Sequence, residues 1–327
     1  MPEKMMRVAV IRDYDKGIAI EDWPDPQPAG DEIVVTVHGA GVCHTDLHLI
    51  QRWRNRPLPL VLGHEVAGIA PGMGPVLVHQ SWGCGHCPAC QRGEEQLCTT
   101  IKEAGFERHG GYAEKIIVPH KRYLIPLGDL DPVRAAPLTD AGATSYRAVR
   151  RALPWLDRPK CRAMVFGVGG VGQFAVQFLR LMTDATVVAV DIDRAKLDRA
   201  LELGAHEAFH IDGIEGQQAH AVFDLVAEGD TLERAARLVP SGGLIMRIGS
   251  GGATLVFGRS ALRPEVMLTS SLGGSMRDVT DVVAMAREGK LKWEVETLPL
   301  EHVFEALERL EKGQVRNRLI LTPHIRG

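Results

Sequence analysis

The stretch Met164-Val-Phe-Gly-Val-Gly-Gly-Val-Gly172 decides the fold. The apolar run Ala163 to Gly167 reads as a buried strand, and Gly167, Gly169 and Gly172 fall in a GxGxxG pattern directly after it. A helix follows with Phe174, Phe178, Leu181 and Met182 on one face. Glycines at that spacing let the backbone turn tightly and approach a pyrophosphate, whose charge is favoured at a helix N-terminus. Taken alone, the pattern fits a bare strand-to-helix turn equally well. The next strand adds context, because Thr186 to Val190 ends at Asp191, 19 residues after Gly172. A carboxylate there accepts both hydroxyls of an adenosine ribose and repels a 2′-phosphate, which favours NAD over NADP. The plainer role for Asp191 is to cap a helix over Arg194 to Leu203.

Working outward, strands at Ala163–Gly167, Thr186–Asp191, Glu207–Ile211, Ala221–Val226, Gly243–Gly249 and Val266–Leu272 are separated, in all but one case, by a plausible helix. That alternation predicts an α/β fold with a doubly wound, parallel, six-stranded sheet. Residues 143–271 form the dinucleotide-binding domain on this reading. The first 142 residues instead read as short strands, Met6–Ile11, Ile18–Asp22, Glu32–Gly39 and Ala113–Pro119, with an irregular stretch before Tyr112. Helices around Thr280–Arg287 and Glu301–Glu311 and a strand Arg318–Thr322 return residues 272–327 to this mainly β domain. With 327 residues, two domains are expected at roughly 100 to 200 residues each.

The charge balance of 38 Lys and Arg against 41 Asp and Glu leaves a net charge of -3, without a block of like charge. Nucleic acid and membrane surfaces are therefore excluded as partners. The 35 glycines suit a loop-rich enzyme. The start MPEKMMRVAV has no apolar run before a small-residue cleavage site, so a cytoplasmic location is expected.

Four of the six cysteines, Cys84, Cys87, Cys90 and Cys98, lie in a C-x2-C-x2-C-x7-C cluster. Four thiolates so close in sequence can wrap one tetrahedral ion and leave no position for substrate, so the zinc they imply is structural. A zinc ribbon for nucleic acid is disfavoured by Glu94, Glu95 and the lack of interleaved basic and aromatic residues. A third constellation, Gly41-Val-Cys-His-Thr-Asp-Leu-His48 followed by Gly63-His-Glu-Val-Ala-Gly68, offers Cys43 and His64 as zinc donors.

These segments, together with Gly110 to Glu114 (GGYAE), Leu138 to Tyr146 (LTDAGATSY) and Val190 to Asp193 (VDID), make the whole chain resemble the zinc-dependent medium-chain alcohol dehydrogenases. The resemblance implies a GroES-like catalytic domain beside the Rossmann domain, NAD, and two zinc ions per chain, one catalytic and one structural. It implies a catalytic zinc on Cys43, His64 and Asp140, with Glu65 able to approach it from behind. Most relatives carry Cys where this chain has Asp140, and a bacterial branch of secondary-alcohol dehydrogenases carries Asp. Asp140 can alternatively cap the helix that begins at Ala141. Thr45 resembles the hydroxyl that takes the substrate's proton, His48 the imidazole that passes it through the cofactor ribose to water, and Asp46 the carboxylate that orients His64. His44, Thr144, Gly170, Val171, Ile192 and Arg318 correspond to cofactor contacts, although His44 and Arg318 equally suit solvated side chains. The activity implied is reversible oxidation of primary or secondary alcohols to aldehydes or ketones, with a polyol or aldehyde specialist as the near alternative and an inactive binding protein as the distant one. A homo-oligomer, dimer or tetramer, is expected.

Several positions depart from that pattern. Only 18 residues, Val66 to Gly83, separate Glu65 from Cys84, and the connection His210 to Ala221 is also short. Ala227 stands where relatives usually have Gly, and Asn317 where related bacterial enzymes commonly have Gly. Trp53, Trp82 and Leu272 are candidates for an apolar substrate wall or simple packing. Cys161 reads as packing.

Overall fold

The computed structural model describes residues 4–258 and 260–324. The chain separates into two compact units, Met1–Asp140 with Gly274–Gly327, and Ala141–Gly273. In chain order the first unit begins β1 (Met5–Asp13), β2 (Gly17–Pro24), β3 (Ile33–Val42), α1 (His44–Gln51), β4 (Leu60–Val61), β5 (Glu65–Ala70), β6 (Gly74–Val78), β7 (Ser81–Trp82), α2 (Pro88–Gln91), β8 (Lys102–Glu103), β9 (Lys115–Val118), β10 (Leu124–Pro126) and α3 (Pro132–Ala135). The stretch expected to be irregular before Tyr112 thus holds two helices, α1 and α2, and five short strands, β4 to β8. The alternation that reveals a strand is missing there: five of the six residues of β5 are buried, so both of its faces are apolar.

The second unit follows with α4 (Ala141–Leu156), β11 (Arg162–Phe166), α5 (Gly172–Met182), β12 (Thr186–Asp191), α6 (Arg194–Glu202), β13 (Glu207–His210), β14 (Ala221–Asp224), α7 (Thr231–Leu238), β15 (Leu244–Arg247) and β16 (Met267–Ser270). These six strands form one sheet in the order β13-β12-β11-β14-β15-β16. Every neighbouring pair is parallel, as expected of a doubly wound sheet whose order reverses beside β11. The expectation of one connection without a helix needs correction, because among the described residues two lack an α-helix. Between β15 and β16 the chain is irregular, and between β13 and β14 there is only a 3-10 turn, Ile211–Gly213. The second crossing is short for a helical crossover of a dozen or more residues. Buried Ile214 and Ala219 cover the sheet there instead.

The chain then returns to the first unit as α8 (Met276–Arg287), β17 (Val295–Pro299), α9 (Val303–Glu311) and β18 (Arg318–Thr322). The main sheet of that unit runs β10-β6-β5-β3-β18-β17, and β9 also pairs with β3. Strand β3 is its centre, antiparallel to β5 on one side and to β18 on the other. The shortened segment after Glu65 closes cleanly. β5 and β6 pair in register from Val66↔Val78 to Ala70↔Gly74. They are joined by a turn in which Met73 N–H donates to Ala70 O at 3.1 Å. Pro71 and Gly72, the latter at φ +72, supply the residues a type II turn requires. β10 covers the far edge of β6, so the sheet edge beside Glu65 is intact.

Candidate metal and cofactor sites

The loop from Gly83 to Cys98 gathers Cys84, Cys87, Cys90 and Cys98 so that their sulfurs lie within 4.8 Å of one another. Backbone amides serve the sulfurs: Cys87 N–H donates to Cys84 Sγ at 3.3 Å and Cys84 N–H to Cys98 Sγ at 3.4 Å. A side chain at Gly83 would place its Cβ 2.5 Å from Cys90 Sγ, so the loop closes around the sulfurs only with glycine there. Hydrogen bonds from backbone and from Thr100 bring the Cys98 thiol down to about 6 against the effect of burial, while burial pushes Cys90 up to about 12. Sulfurs this crowded cannot all be charged without a cation among them, and the donor set fits zinc.

The second group is Cys43, His64, Glu65 and Asp140, whose donor atoms also lie within 4.8 Å of one another. Cys43 follows β3 and is the N-cap of α1, His64 immediately precedes β5, Glu65 opens it, and Asp140 follows the 3-10 turn Ala136–Thr139. His64 Nε2 lies 3.6 Å from Asp140 Oδ2, and Cys43 Sγ lies 3.9 Å from the same oxygen. On its other side, His64 Nδ1 lies 3.3 Å from Asp46 Oδ1, outside good hydrogen-bond alignment, and neither atom has another hydrogen-bond partner among the described residues. Burial alone lowers the proton affinity of His64, yet Asp46, Asp140 and Cys43 carry it well above the ordinary imidazole value. A buried histidine ringed by acidic groups is a cation site, and a thiolate, an imidazole and a carboxylate suit zinc. The backbone of Asp140, at φ -118 and ψ -70, is not the extended form usual for an N-cap.

Glu65 faces Arg318, whose Nη2 donates to Glu65 Oε1, and both side chains are buried. Their strands flank β3, and the pair meets across it at Gly41, where a Cβ would fall 1.9 Å from Glu65 Oε2. Burial pushes the Glu65 carboxyl upward and Arg318 pulls it back. Arg318 was a candidate pyrophosphate contact, and the structure places it in this ion pair. Thr45 and His48 sit half-buried on α1, with Trp53 edge-on to His48 at 5.2 Å, while His44 is exposed.

In the second unit, Gly167 adopts φ +81, and a Cβ on Gly172 would lie 1.9 Å from Gly167 O, so the turn into α5 is closed to larger residues. At Gly169, by contrast, a Cβ would meet nothing within 4 Å. Asp191 ends β12 and accepts from Val168 N–H at 2.9 Å and from Asp193 N–H at 3.0 Å. The cap of α6 is Asp193, whose side chain accepts from Ala195 N–H, so Asp191 is not the N-cap. The turn thus offers open space over Gly169, a helix N-terminus and a buried carboxylate, which fit a dinucleotide. Gly170 and Val171 lie in the turn, Ile192 is exposed beside Asp191, and Thr144 is buried in α4. Ala227 adopts φ +50, a left-handed backbone that favours glycine.

Comparison with known proteins gives the family. A family profile described as Alcohol dehydrogenase GroES-like domain matches residues 29–129, and one described as Zinc-binding dehydrogenase matches residues 170–288. The chain is 33% identical to an NAD-dependent alcohol dehydrogenase of Sulfurisphaera tokodaii, over 97% of this chain and all of the relative. The chain belongs to the zinc-dependent medium-chain alcohol dehydrogenase family. Another relative in this family is a D-arabinose 1-dehydrogenase (NADP(+)) of Saccharolobus solfataricus, 32% identical over 97% of each chain. Among solved structures, the alcohol dehydrogenase of the hyperthermophilic archaeon Aeropyrum pernix superposes with a TM-score of 0.90 at 35% identity, covering 97% of this chain and 100% of that one.

Against this alcohol dehydrogenase framework, two contacts stand out that the sequence did not announce. Gln80, buried between β6 and β7, directs Nε2 to Asp140 Oδ1 at 3.4 Å. Tyr112, fully buried, donates its hydroxyl to Asp46 Oδ2 at 2.8 Å. Tyr112 lies inside the GGYAE motif, which was the available signal; nothing around Gln80 marked it. Trp82 is core, with Nε1 bonded to His79 O at 2.7 Å, and Leu272 is exposed. Cys161 is buried, and Asn317 bonds Glu294 at 3.2 Å.

Proposed function

We propose that this chain is an NAD-dependent zinc alcohol dehydrogenase interconverting primary or secondary alcohols with aldehydes or ketones by hydride transfer. The convergence of Cys43, His64 and Asp140 on one buried point carries the reading, in a chain with relatives named as NAD-dependent alcohol dehydrogenases. A zinc ion held by those three residues, with Glu65 in reserve, would supply Lewis acidity toward the substrate oxygen. NAD, on the turn Gly167 to Gly172 with Asp191, Ile192 and Thr144, would supply the hydride acceptor. The chain's own groups manage the proton. Thr45, in the first turn of α1, accepts it from the alcohol, and His48 lies three residues on along the same helix face. An imidazole can take and release a proton near neutral pH, which suits His48 to pass it on to water. Asp46 holds His64 in one orientation and one tautomer. Cys84, Cys87, Cys90 and Cys98 would hold a second zinc that fixes a lobe and leaves no position for substrate.

The similarity to a D-arabinose 1-dehydrogenase favours a second reading, a sugar or polyol specialist of the same family. Formation of reduced nicotinamide, followed spectrophotometrically with primary alcohols, secondary alcohols, polyols and aldoses, separates the two. Absence of turnover with every substrate, in protein holding two zinc ions per chain, would overturn both.

We also place the protein in the cytoplasm as a homo-oligomer. Among the described residues no helix is long and apolar enough to cross a membrane, and unpaired cysteines grouped for a metal suit a reducing compartment. The sheet of the second unit ends at β16, and Val256 and Phe257 before it are 83% and 76% exposed. An open edge beside exposed apolar side chains favours pairing with a second copy. Light scattering gives the mass directly, and a monomer at micromolar concentration would refute the oligomer.

A further inference from the structure

We infer that the hydroxyl of Tyr112 is a positioning group for the metal site of Cys43, His64 and Asp140, acting through Asp46. Asp46 is fully buried and its two oxygens are divided between two tasks. Oδ2 takes both well-formed hydrogen bonds, from Cys43 N–H at 2.9 Å and from Tyr112 Oη at 2.8 Å. That occupancy turns Oδ1 toward His64 Nδ1, 3.3 Å away, and leaves Nε2 on the side of Asp140. The backbone amide fixes the carboxylate at one point only. The second donor, from a different part of the chain, removes its freedom to swing.

The tyrosine is itself held by sequence that leaves it little choice. Its backbone N–H donates to Leu62 O at 2.9 Å, and its ring lies on Gly63, where a Cβ would be 2.4 Å from Tyr112 Cδ1. The residue before His64 is therefore bare so that the ring can sit against it, and the same ring carries the oxygen that reaches Asp46. Tyr112 touches neither substrate nor metal in this arrangement; it sets the direction of the imidazole through one intervening carboxylate. Buried partners that orient metal-binding histidines affect metal affinity strongly.

Tyr112→Phe removes one buried oxygen and keeps the ring on Gly63. In the zinc-loaded protein, transfer of the more labile zinc to a chromogenic chelator is expected to accelerate about 3- to 10-fold, less than the 10- to 100-fold typical of the group directly bonded to a ligand. With cobalt substituted at that site, the visible absorption band should shift, because the imidazole's orientation changes. The zinc of Cys84 to Cys98 should leave at the wild-type rate, which checks that the fold is retained. In an Asp46→Asn background, adding Tyr112→Phe should produce little further acceleration, since the path runs through the carboxylate. Unchanged release and an unchanged cobalt band in Tyr112→Phe would overturn the inference, as would equal acceleration in both backgrounds, which would mark the tyrosine as packing alone. The inference rests on the metal site proposed above. Failure of that site would appear separately, as one zinc per chain in the wild type.

Discussion

Asp140 Oδ2 stands 3.6 Å from His64 Nε2, the ring nitrogen on the side away from Asp46. Cys43 Sγ is also 3.9 Å from that oxygen, which supports the proposal that the carboxylate is the third zinc ligand. Asp140→Ala is expected to lower zinc to about one per chain and to abolish turnover, with the cysteine cluster still loaded. Asp140→Asn keeps the shape and the contact with Gln80 but is a much poorer zinc ligand. Full zinc occupancy and wild-type turnover in Asp140→Asn would show that the carboxylate is dispensable and that Glu65 or water completes the site.

The two metal groups should differ in lability. Cys84, Cys87, Cys90 and Cys98 would saturate one tetrahedral ion, with backbone amides already donating to Cys84 and Cys98 Sγ, whereas Cys43, His64 and Asp140 would supply only three ligands. Elemental analysis should give about two zinc per chain, and mild chelation should remove activity before the protein unfolds. Cys87→Ser should instead lower the thermal midpoint. A fully active preparation carrying one zinc would contradict the assignment.

How legible these sites were depends on how local they are. The cysteine cluster and the glycine turn are each encoded within a few residues, so spacing alone reveals them. Arg318 and Glu65 lie 253 residues apart. Their meeting depends on the register of β5 and β18 on either side of β3 and on the bare Gly41 between them. No pattern in either segment records that register. Likewise Tyr112 reaches Asp46 across 66 residues because its backbone pairs with Leu62. The strands from Leu60 to Glu103 escaped notice for a related reason: they are short, and β5 and β6 are largely buried on both faces, which hides the alternation.

The glycines of the nucleotide turn should divide into structural and functional ones. Gly172→Ala drives a Cβ into Gly167 O, a backbone atom that cannot yield cheaply, and should cost about 2 kcal/mol or more of stability. Gly169→Ala meets nothing within 4 Å, so stability should change by less than about 0.5 kcal/mol while the affinity for NAD falls, because the methyl occupies space the pyrophosphate needs. Thermal melts and NAD titrations of the two variants check this. Equal NAD affinity in Gly169→Ala and wild type would place the dinucleotide elsewhere.

Asp191 should set the choice of nucleotide, even though its oxygens already accept from Val168 and Asp193 N–H. Each carboxylate oxygen retains a lone pair for a ribose hydroxyl, and the charge opposes a 2′-phosphate. Asp191→Asn preserves most of the shape and removes the repulsion, so the ratio of kcat/KM for NAD over NADP should fall, with NAD itself used less well. A wild-type preference for NADP, the cofactor named for the D-arabinose relative, would refute the ribose reading.

His79 should make the fold sensitive to acid. Its side chain is fully buried between β6 and β7, neither ring nitrogen has a hydrogen-bond partner among the described residues, and Tyr123 packs beside it at 6.4 Å. Burial brings the imidazole down to about 4, and the charge of Asp278, held by Ser275 at the start of α8, only partly opposes this. In the unfolded chain the ring takes a proton near pH 6.5, whereas the folded ring resists until about pH 4, so the unfolded state binds more protons throughout that window. The stability associated with neutral His79 is therefore fully present above pH 6.5 and is lost as pH falls toward 4, by about 3 kcal/mol in all. Zinc ligands also release metal in acid, so the measurement is the difference between zinc-saturated wild type and zinc-saturated His79→Leu at each pH. The leucine variant should gain on the wild type by about 1 kcal/mol per pH unit between pH 6 and 5, read from thermal or urea melts. Stability curves that stay parallel over that range would show that His79 does not contribute to the acid sensitivity of the fold.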